Sequence, residues 1–146
     1  GTALMLVPGG VQILYGDETA RPEGPYTIGD RMQGTRSDMN WDSIDQTVLQ
    51  HWQKMGQFRS RHIAIAAGEH HQLCQEPYVF SRHHLPSGDK LIVVLGGEGQ
   101  QSIAVASIFE EGQKIQDAYS GQQLVVCHGA VTLALGEVAL LEIVPT

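Results

Sequence analysis

The spacing of apolar residues changes near residue 62 of this chain, and the change divides it into two parts. In the first part five apolar residues recur at helical spacing: Val48, Leu49, Trp52, Met55 and Phe58. From residue 63 onward, short apolar runs alternate with clusters of turn residues, which is typical of a β-sandwich or barrel. We therefore predict two parts, residues 1–62 and an all-β domain over residues 63–146.

The first part reads as helix, strand, loop and helix. A strand is predicted for Val11–Tyr15, whose β-branched and aromatic residues suit a buried position in a sheet. Residues 19–40 follow as a loop rich in proline and glycine, and loops of that length in compact folds are more often functional than idle. Ser43 and Gln46 fit a capping box, so a helix is predicted over residues 43–60.

The second part contains six strand candidates, namely Tyr78–Phe80, Leu91–Leu95, Ile103–Ile108, Leu124–Cys127, Val131–Leu135 and Val138–Ile143. Turn-forming residues such as Gly96–Gly99 separate them. Val131, Leu133 and Leu135 share one face of their strand, with Thr132 and Ala134 on the other. The pattern predicts a two-sheet antiparallel sandwich of about eight strands.

Composition and charge limit the kinds of partner that this chain is expected to bind. Apolar residues make up 42% of the chain, and no apolar run approaches the roughly 20 residues of a membrane-spanning helix. The formal charge of −7 disfavours nucleic acid, because phosphate binding relies on clustered Lys and Arg. We expect neither a membrane nor a nucleic acid as partner. The sequence opens with neither an initiator Met nor a signal peptide, so we expect a truncated piece of a longer protein.

Cysteines and histidines give weak signals for metal binding. Cys74 and Cys127 lie 53 residues apart, too far for a zinc knuckle. We expect two buried thiols that are not bridged, with a disulfide as the alternative. The doublets His70–His71 and His83–His84 could meet across paired strands, but neighbours on a strand point to opposite faces. Solvated histidines are therefore expected, and no metal site is predicted.

Three stretches carry a resemblance to family 13 glycoside hydrolases, the α-amylase superfamily. Pro8–Glu18 is similar to the family's strand-eight motif, which ends here in Tyr15, Gly16, Asp17 and Glu18. Gly34–Asp42 resembles the arginine-to-tryptophan segment of the loop that follows the eighth strand. Leu49–Ile65 resembles the last barrel helix and its exit into domain C, and the form of the second stretch is most similar to bacterial periplasmic α-amylases.

The resemblance implies a fold and an activity. The fold is the end of a (β/α)8 barrel, its last strand and helix, followed by the antiparallel β-sandwich called domain C. The parent protein would hydrolyse α-1,4-glucosidic bonds in starch and maltodextrins with two carboxylates, by a retaining route. Those acids would lie before residue 1, so no catalytic residue is expected in this chain, and the chain alone is expected to be inactive. Asp17 and Glu18 are interpreted as structural.

The loop after strand eight would face the substrate, because barrel sites are built at the C-terminal ends of the strands. Arg36, Asp38 and Trp41 offer donors, an acceptor and an apolar plate for a sugar, and we name them as substrate-binding candidates. The alternative is that Arg36 pairs with Asp38 and that Trp41 packs under the following helix.

The remaining expectations also depend on the resemblance. Starch or maltodextrin would be bound through the parent, no cofactor is expected in this chain, and any calcium of the parent would lie elsewhere. The parent would be periplasmic or secreted. The barrel remnant would leave apolar surface exposed, which favours self-association. The alternative function is a stand-alone carbohydrate-binding β-sandwich without catalysis.

Overall fold

A computed structural model of the chain describes residues 1–24 and 37–144. These residues form two compact units, Val11–Gln53 and a larger unit made of Gly1–Gly10 and Lys54–Thr146. The domain boundary predicted between residues 62 and 63 stays a prediction.

The larger unit is built from eight described strands: β1 (Glu69–Cys74), β2 (Tyr78–His84), β3 (Asp89–Leu95), β4 (Gly99–Ala104), β5 (Lys114–Asp117), β6 (Gln123–Val125), β7 (Ala130–Leu135) and β8 (Val138–Ile143). Six of them form one sheet in the order β1-β2-β3-β8-β5-β6, and β4 pairs with β7 in a second sheet. Every pairing is antiparallel. The predicted fold class, mainly β with an antiparallel sandwich, is confirmed.

Strands β3 and β8 contain nearly continuous apolar runs, Leu91–Leu95 and Val138–Ile143 with Glu142 as the one interruption, because both of their faces are covered. Ile92 and Leu141 pair across the two strands and point into the core between the sheets, with Val131 and Leu133 of β7. The alternate residues of β3 and β8 point to the opposite face and pack with helical side chains in a second core. A strand buried on both faces cannot show the alternation of a half-exposed strand.

Three α-helices are described: α1 (Thr2–Met5), α2 (Gln46–Arg61) and α3 (Ile63–Ala67). Met55 and Phe58 at the end of α2 are fully buried in the second core, where Leu6 and Ile65 join them. None of the described helices combines the length and apolar character that crossing a bilayer requires.

Helix α2 begins later than predicted, because a different residue caps it. The carboxylate of Asp45 accepts hydrogen bonds from the backbone amides of Thr47 (2.9 Å) and Val48 (3.0 Å). Asp45 is therefore the N-cap. The capping box predicted at Ser43 is wrong, since Ser43 ends a short 3₁₀ turn, Trp41–Ser43.

The strand predicted for Val11–Tyr15 is not formed. The described part of its unit contains no second strand with which it could pair. Ile13, Leu14 and Tyr15 are 37%, 55% and 53% exposed. A parallel barrel strand needs neighbours at both edges and cover on both faces, so its sequence does not form a strand alone.

Other predictions in the second part are corrected in detail. Ile103–Ile108 was the predicted strand, but β4 ends at Ala104 and a turn follows. The all-β part was expected to start at residue 63, where helix α3 lies instead. Cys74 and Cys127 are unbridged, as predicted, but both are exposed rather than buried.

Candidate functional site

The strand-eight motif forms a tight turn in the smaller unit. Gly16 has a φ of 90°, in the left-handed region that favours glycine, and a 3₁₀ turn over Asp17–Thr19 follows it. The carboxylate of Glu18 accepts a hydrogen bond of 3.1 Å from the Gly16 amide. The amides of Thr19 and Arg21 both donate to the Gly16 carbonyl oxygen, at 3.2 and 2.9 Å. This geometry holds Glu18 against its own backbone.

Thr19 and Asn40 join this turn to the segment before α2. The Thr19 side chain is buried, and its hydroxyl lies 2.7 Å from Asn40 Oδ1. Asn40 Nδ2 donates to the carbonyl oxygens of Thr19 (3.0 Å) and Ser43 (2.9 Å). The backbone adds a further link, because the Asp45 amide donates to the Thr19 carbonyl oxygen at 3.2 Å. The two ends of the intervening loop are thus joined by the buried Thr19 and the half-buried Asn40.

The side chain of Arg21 connects the residue before the turn, Tyr15, to Ser37. Its guanidinium lies over the Tyr15 ring, 4.9 Å from the centroid, and donates to the Tyr15 carbonyl oxygen. The same guanidinium donates to the hydroxyl and the carbonyl oxygen of Ser37. A Cβ at Gly16 would lie 2.7 Å from Arg21 Cβ, so the packing of Arg21 depends on glycine there.

The three substrate-binding candidates are only partly described. Arg36 lies outside the described residues. Asp38 is exposed, and Trp41 is 72% exposed on its 3₁₀ turn. The alternative in which Trp41 packs under the helix is therefore wrong, while the substrate role of the three residues stays a prediction.

A second polar cluster, in the larger unit, was not predicted from the sequence. Glu142 of β8 is 1% exposed. It accepts two hydrogen bonds from Arg61, from Nε at 2.9 Å and from Nη2 at 2.8 Å. Its oxygens also contact His62 Nε2 at 2.5 Å and Gln116 Nε2 at 2.7 Å. The end of α2 is thereby bound to β8, and Gln116 of β5 shares the same carboxylate.

His62 bridges two carboxylates in this cluster. Its Nδ1 lies 2.7 Å from Asp89 Oδ1, opposite the contact with Glu142. Asp89 is held in turn by the Ala64 amide, 2.8 Å from its Oδ2. Both ring nitrogens can donate only in the protonated imidazolium, so the geometry favours the charged form.

Burial and hydrogen bonding act in opposite directions on the pKa values of Glu142 and His62. Burial alone would raise the pKa of Glu142, but hydrogen bonds from His62, Arg61 and Gln116 outweigh it and lower the pKa to about 2. Burial alone would lower the pKa of His62, but its bonds to Glu142 and Asp89 outweigh it and raise the pKa above 6.5. All the charged groups are engaged with each other, so the cluster is a structural one.

The histidine doublets do not build a metal site. His70 pairs with Arg82 and His71 with Ser81 across β1 and β2. His84 Nδ1 lies 2.8 Å from the Ser87 hydroxyl. Within residues 1–24 and 37–144, no three His, Cys, Asp or Glu side chains are grouped closely enough to hold a metal ion.

Comparison with known proteins gives one match in sequence and several in fold. No protein-family model matches the chain. Over 99 residues the chain is 50% identical to the periplasmic α-amylase of Escherichia coli (strain K12), an alignment that covers 65% of this chain and 14% of that protein. Over these residues the chain is similar in sequence to an α-amylase. The resemblance to the α-amylase superfamily that the sequence motifs predicted is confirmed.

The amylase-like fold is shared with solved structures of low sequence identity. An Anoxybacillus α-amylase superposes with a TM-score of 0.71 at 19% identity, covering 96% of this chain and 30% of that one. The α-amylase of Geobacillus thermoleovorans, solved with acarbose, gives a TM-score of 0.71 at 17% identity, covering 97% and 32%. A cyclomaltodextrinase gives 0.71 at 18% identity, covering 97% and 24%. This chain thus spans about a third or less of the length of each of these proteins.

Proposed function

We propose that this chain is the C-terminal portion of an α-amylase-type glycoside hydrolase. The whole protein would hydrolyse α-1,4-glucosidic bonds in starch and maltodextrins by a retaining mechanism with two carboxylates. The observation that carries the proposal is the 50% identity over 99 residues to a periplasmic α-amylase. The catalytic acids and any calcium would belong to the rest of the protein.

Within that enzyme, we infer two roles for this chain. The β-sandwich would serve as domain C, fixed to the last barrel helix by the Arg61, His62 and Glu142 cluster. The segment after the Gly16 turn would form one wall of the substrate cleft. Support comes from Trp41, which is 72% exposed while the neighbouring Asn40 is held by hydrogen bonds to Thr19 and Ser43. An exposed indole plate on a fixed support suits the C–H face of a sugar.

A stand-alone carbohydrate-binding module is less well supported. Such a module would present a row of exposed aromatic rings on one sheet. Of the sandwich aromatics, Phe80 and Phe109 are buried, at 4% and 2% exposure, and Tyr78 and Tyr119 are half-buried. The described sandwich therefore offers no exposed aromatic row.

Two finer proposals concern location and assembly. We propose a periplasmic location, by analogy with the periplasmic relative. We also propose that the isolated chain self-associates, because Leu14 and Tyr15 expose more than half of their surface and would be covered by the barrel in the whole protein. Light scattering on the purified chain should give a mass above 15.9 kDa that rises with concentration. A strict monomer at high concentration would refute the assembly.

The activity is tested on the longer protein that carries this sequence. It should release reducing ends from soluble starch, and proton NMR of the first products should show the α-anomer, as retention requires. Cellulose, with β-linkages, is the matched control substrate and should not be cleaved. Failure to cleave starch, or first products with the β-anomer, would contradict the proposal.

A further inference from the structure

A cavity of about 200 Å³ lies in the larger unit beside α1 and the outer face of β2. Its walls are mainly apolar and include Leu6, Phe80 and Leu95. Three polar side chains also line it: His70, Tyr78 and Arg82. No other described cavity places a buried cation among apolar walls in this way.

Arg82 is the unusual member of this lining. Arg82 is only 7% exposed, and its Nε has no hydrogen-bond partner. The other two guanidinium nitrogens reach only the carbonyl oxygens of Gly68 and Leu6, both at 3.5 Å. Among the described residues, no carboxylate lies within ion-pair distance of Arg82. A buried cation normally has an anionic partner, because burying an unpaired charge is costly.

The strand geometry arranges the other polar groups around Arg82. Tyr78, Phe80 and Arg82 alternate along β2 and so share one face, and His70 of β1 pairs directly with Arg82. His70 Nε2 lies 3.2 Å from the Tyr78 hydroxyl. Burial lowers the pKa of Arg82, as expected for a guanidinium without an anion beside it. The cavity therefore has one cationic end, a hydroxyl and an imidazole nearby, and apolar walls.

We propose that this cavity binds a small organic carboxylate, with Arg82 receiving the carboxylate and the apolar walls enclosing its stem. The planar guanidinium fork matches a carboxylate in a bidentate pair. A single cation among apolar side chains suits a monovalent anion with an apolar body better than phosphate. Apolar cavities of about 150 Å³ accommodate benzene, so the volume here fits an anion of the size of benzoate.

Calorimetric titration of the chain with sodium benzoate, in buffer without chloride, tests the site. Benzyl alcohol is the matched neutral ligand and should bind at least tenfold more weakly. Arg82→Met keeps the length of the side chain and removes its charge, and it should weaken benzoate binding at least tenfold. Lys114→Met, which removes an exposed cation from β5, is the control variant and should leave binding unchanged.

A second variant keeps the test decisive if Arg82→Met alters folding. Ala3→Phe leaves the guanidinium in place and fills the cavity from α1, so it should also weaken benzoate binding. Circular dichroism of each variant verifies its fold. The proposal is overturned if the wild-type chain does not bind benzoate, or if folded Arg82→Met and Ala3→Phe variants bind it as the wild type does.

Discussion

Glu142 shows how a charge can be stabilised inside the larger unit. The residue stands in β8 among apolar neighbours and is 1% exposed. Its two oxygens receive hydrogen bonds from Arg61, His62 and Gln116. A buried ion cluster with all its members present costs little folding free energy, but the loss of one member leaves the remaining buried charges without a partner.

Glu142→Gln should therefore destabilise the chain strongly. Removing the carboxylate leaves Arg61 and His62 without their shared anion, and we expect the free energy of unfolding to fall by roughly 3 kcal/mol. Urea denaturation measures the change. Glu110→Gln, at an exposed position, is the control and should shift it by less than about 0.5 kcal/mol. Equal, small effects for both variants would contradict the role given to Glu142.

The same cluster predicts how stability depends on pH. The raised pKa of His62 means that its contribution is complete below 6.5 and is lost as the pH rises through the higher folded value. The lowered pKa of Glu142 means that its contribution is complete above 4.5 and is lost as the pH falls toward about 2. The cluster should therefore stabilise the chain most between about pH 4.5 and 6.5.

Urea midpoints of the wild type and His62→Gln, measured from pH 4 to pH 9, test this dependence. The difference between the two proteins should be largest near pH 6 and should narrow at higher pH. A difference that grows as the pH rises would contradict the charged state assigned to His62.

The partners of Glu142 could not be derived from the sequence. A lone acid in the apolar run Val138–Ile143 is a signal of a buried, partnered charge. His62 and Arg61, however, are 80 and 81 residues away along the chain, and Asp89 reaches the cluster only through the sheet order. Local sequence identifies the charge, and only the topology identifies what neutralises it.

At the scale of elements, the cap of α2 gives a direct test of competing interpretations. Asp45→Ala removes the acceptor for two helix amides and should lower the free energy of unfolding by about 1 kcal/mol. Ser43→Ala, at the position where the sequence predicted the cap, should have little effect. Urea denaturation of both variants distinguishes the two cap positions. A larger loss of unfolding free energy for Ser43→Ala would support the capping box at Ser43 instead.

The Gly16 turn gives a second test at this scale. Gly16→Ala would place an alanine in the left-handed backbone region and bring its Cβ too close to Arg21. We therefore expect the local stability of the turn to fall by about 1–3 kcal/mol. Hydrogen exchange at the amides of Thr19 and Arg21 should become faster. Gly10→Ala has open space around its Cβ and should leave those amides unchanged. Unchanged exchange in Gly16→Ala would show that the turn does not require glycine.

Strands with a strong apolar pattern could be predicted, and strands without one could not. The bounds of β8 are those predicted, because its run of apolar residues is interrupted only by Glu142. Strand β1 was missed because five of its six residues are exposed and its sequence is largely polar. Val11–Tyr15 has the sequence of a strand but no neighbour to pair with among the described residues. The apolar pattern reports burial, whereas pairing depends on what lies beside the segment.

At the scale of the whole molecule, the proposed function makes this chain one domain and a short piece of a larger enzyme. The fold is shared with α-amylases over 96% of the chain, yet the chain spans only 30% of one such structure. A retaining glycosidase needs a nucleophile and a proton donor held about 5 Å apart across one bond. Among the acids of the described smaller unit, Glu18 accepts a hydrogen bond from the Gly16 amide, and Asp45 caps α2.

The most direct test of this account is the activity of the chain alone on soluble starch, measured as new reducing ends. We expect none above a heat-killed control, since the positioned acids would lie outside the chain and supply most of the rate enhancement. Release that survives repurification and disappears when Asp17, Glu18, Asp38 or Asp42 is mutated would contradict it, because the active site would then lie within this chain.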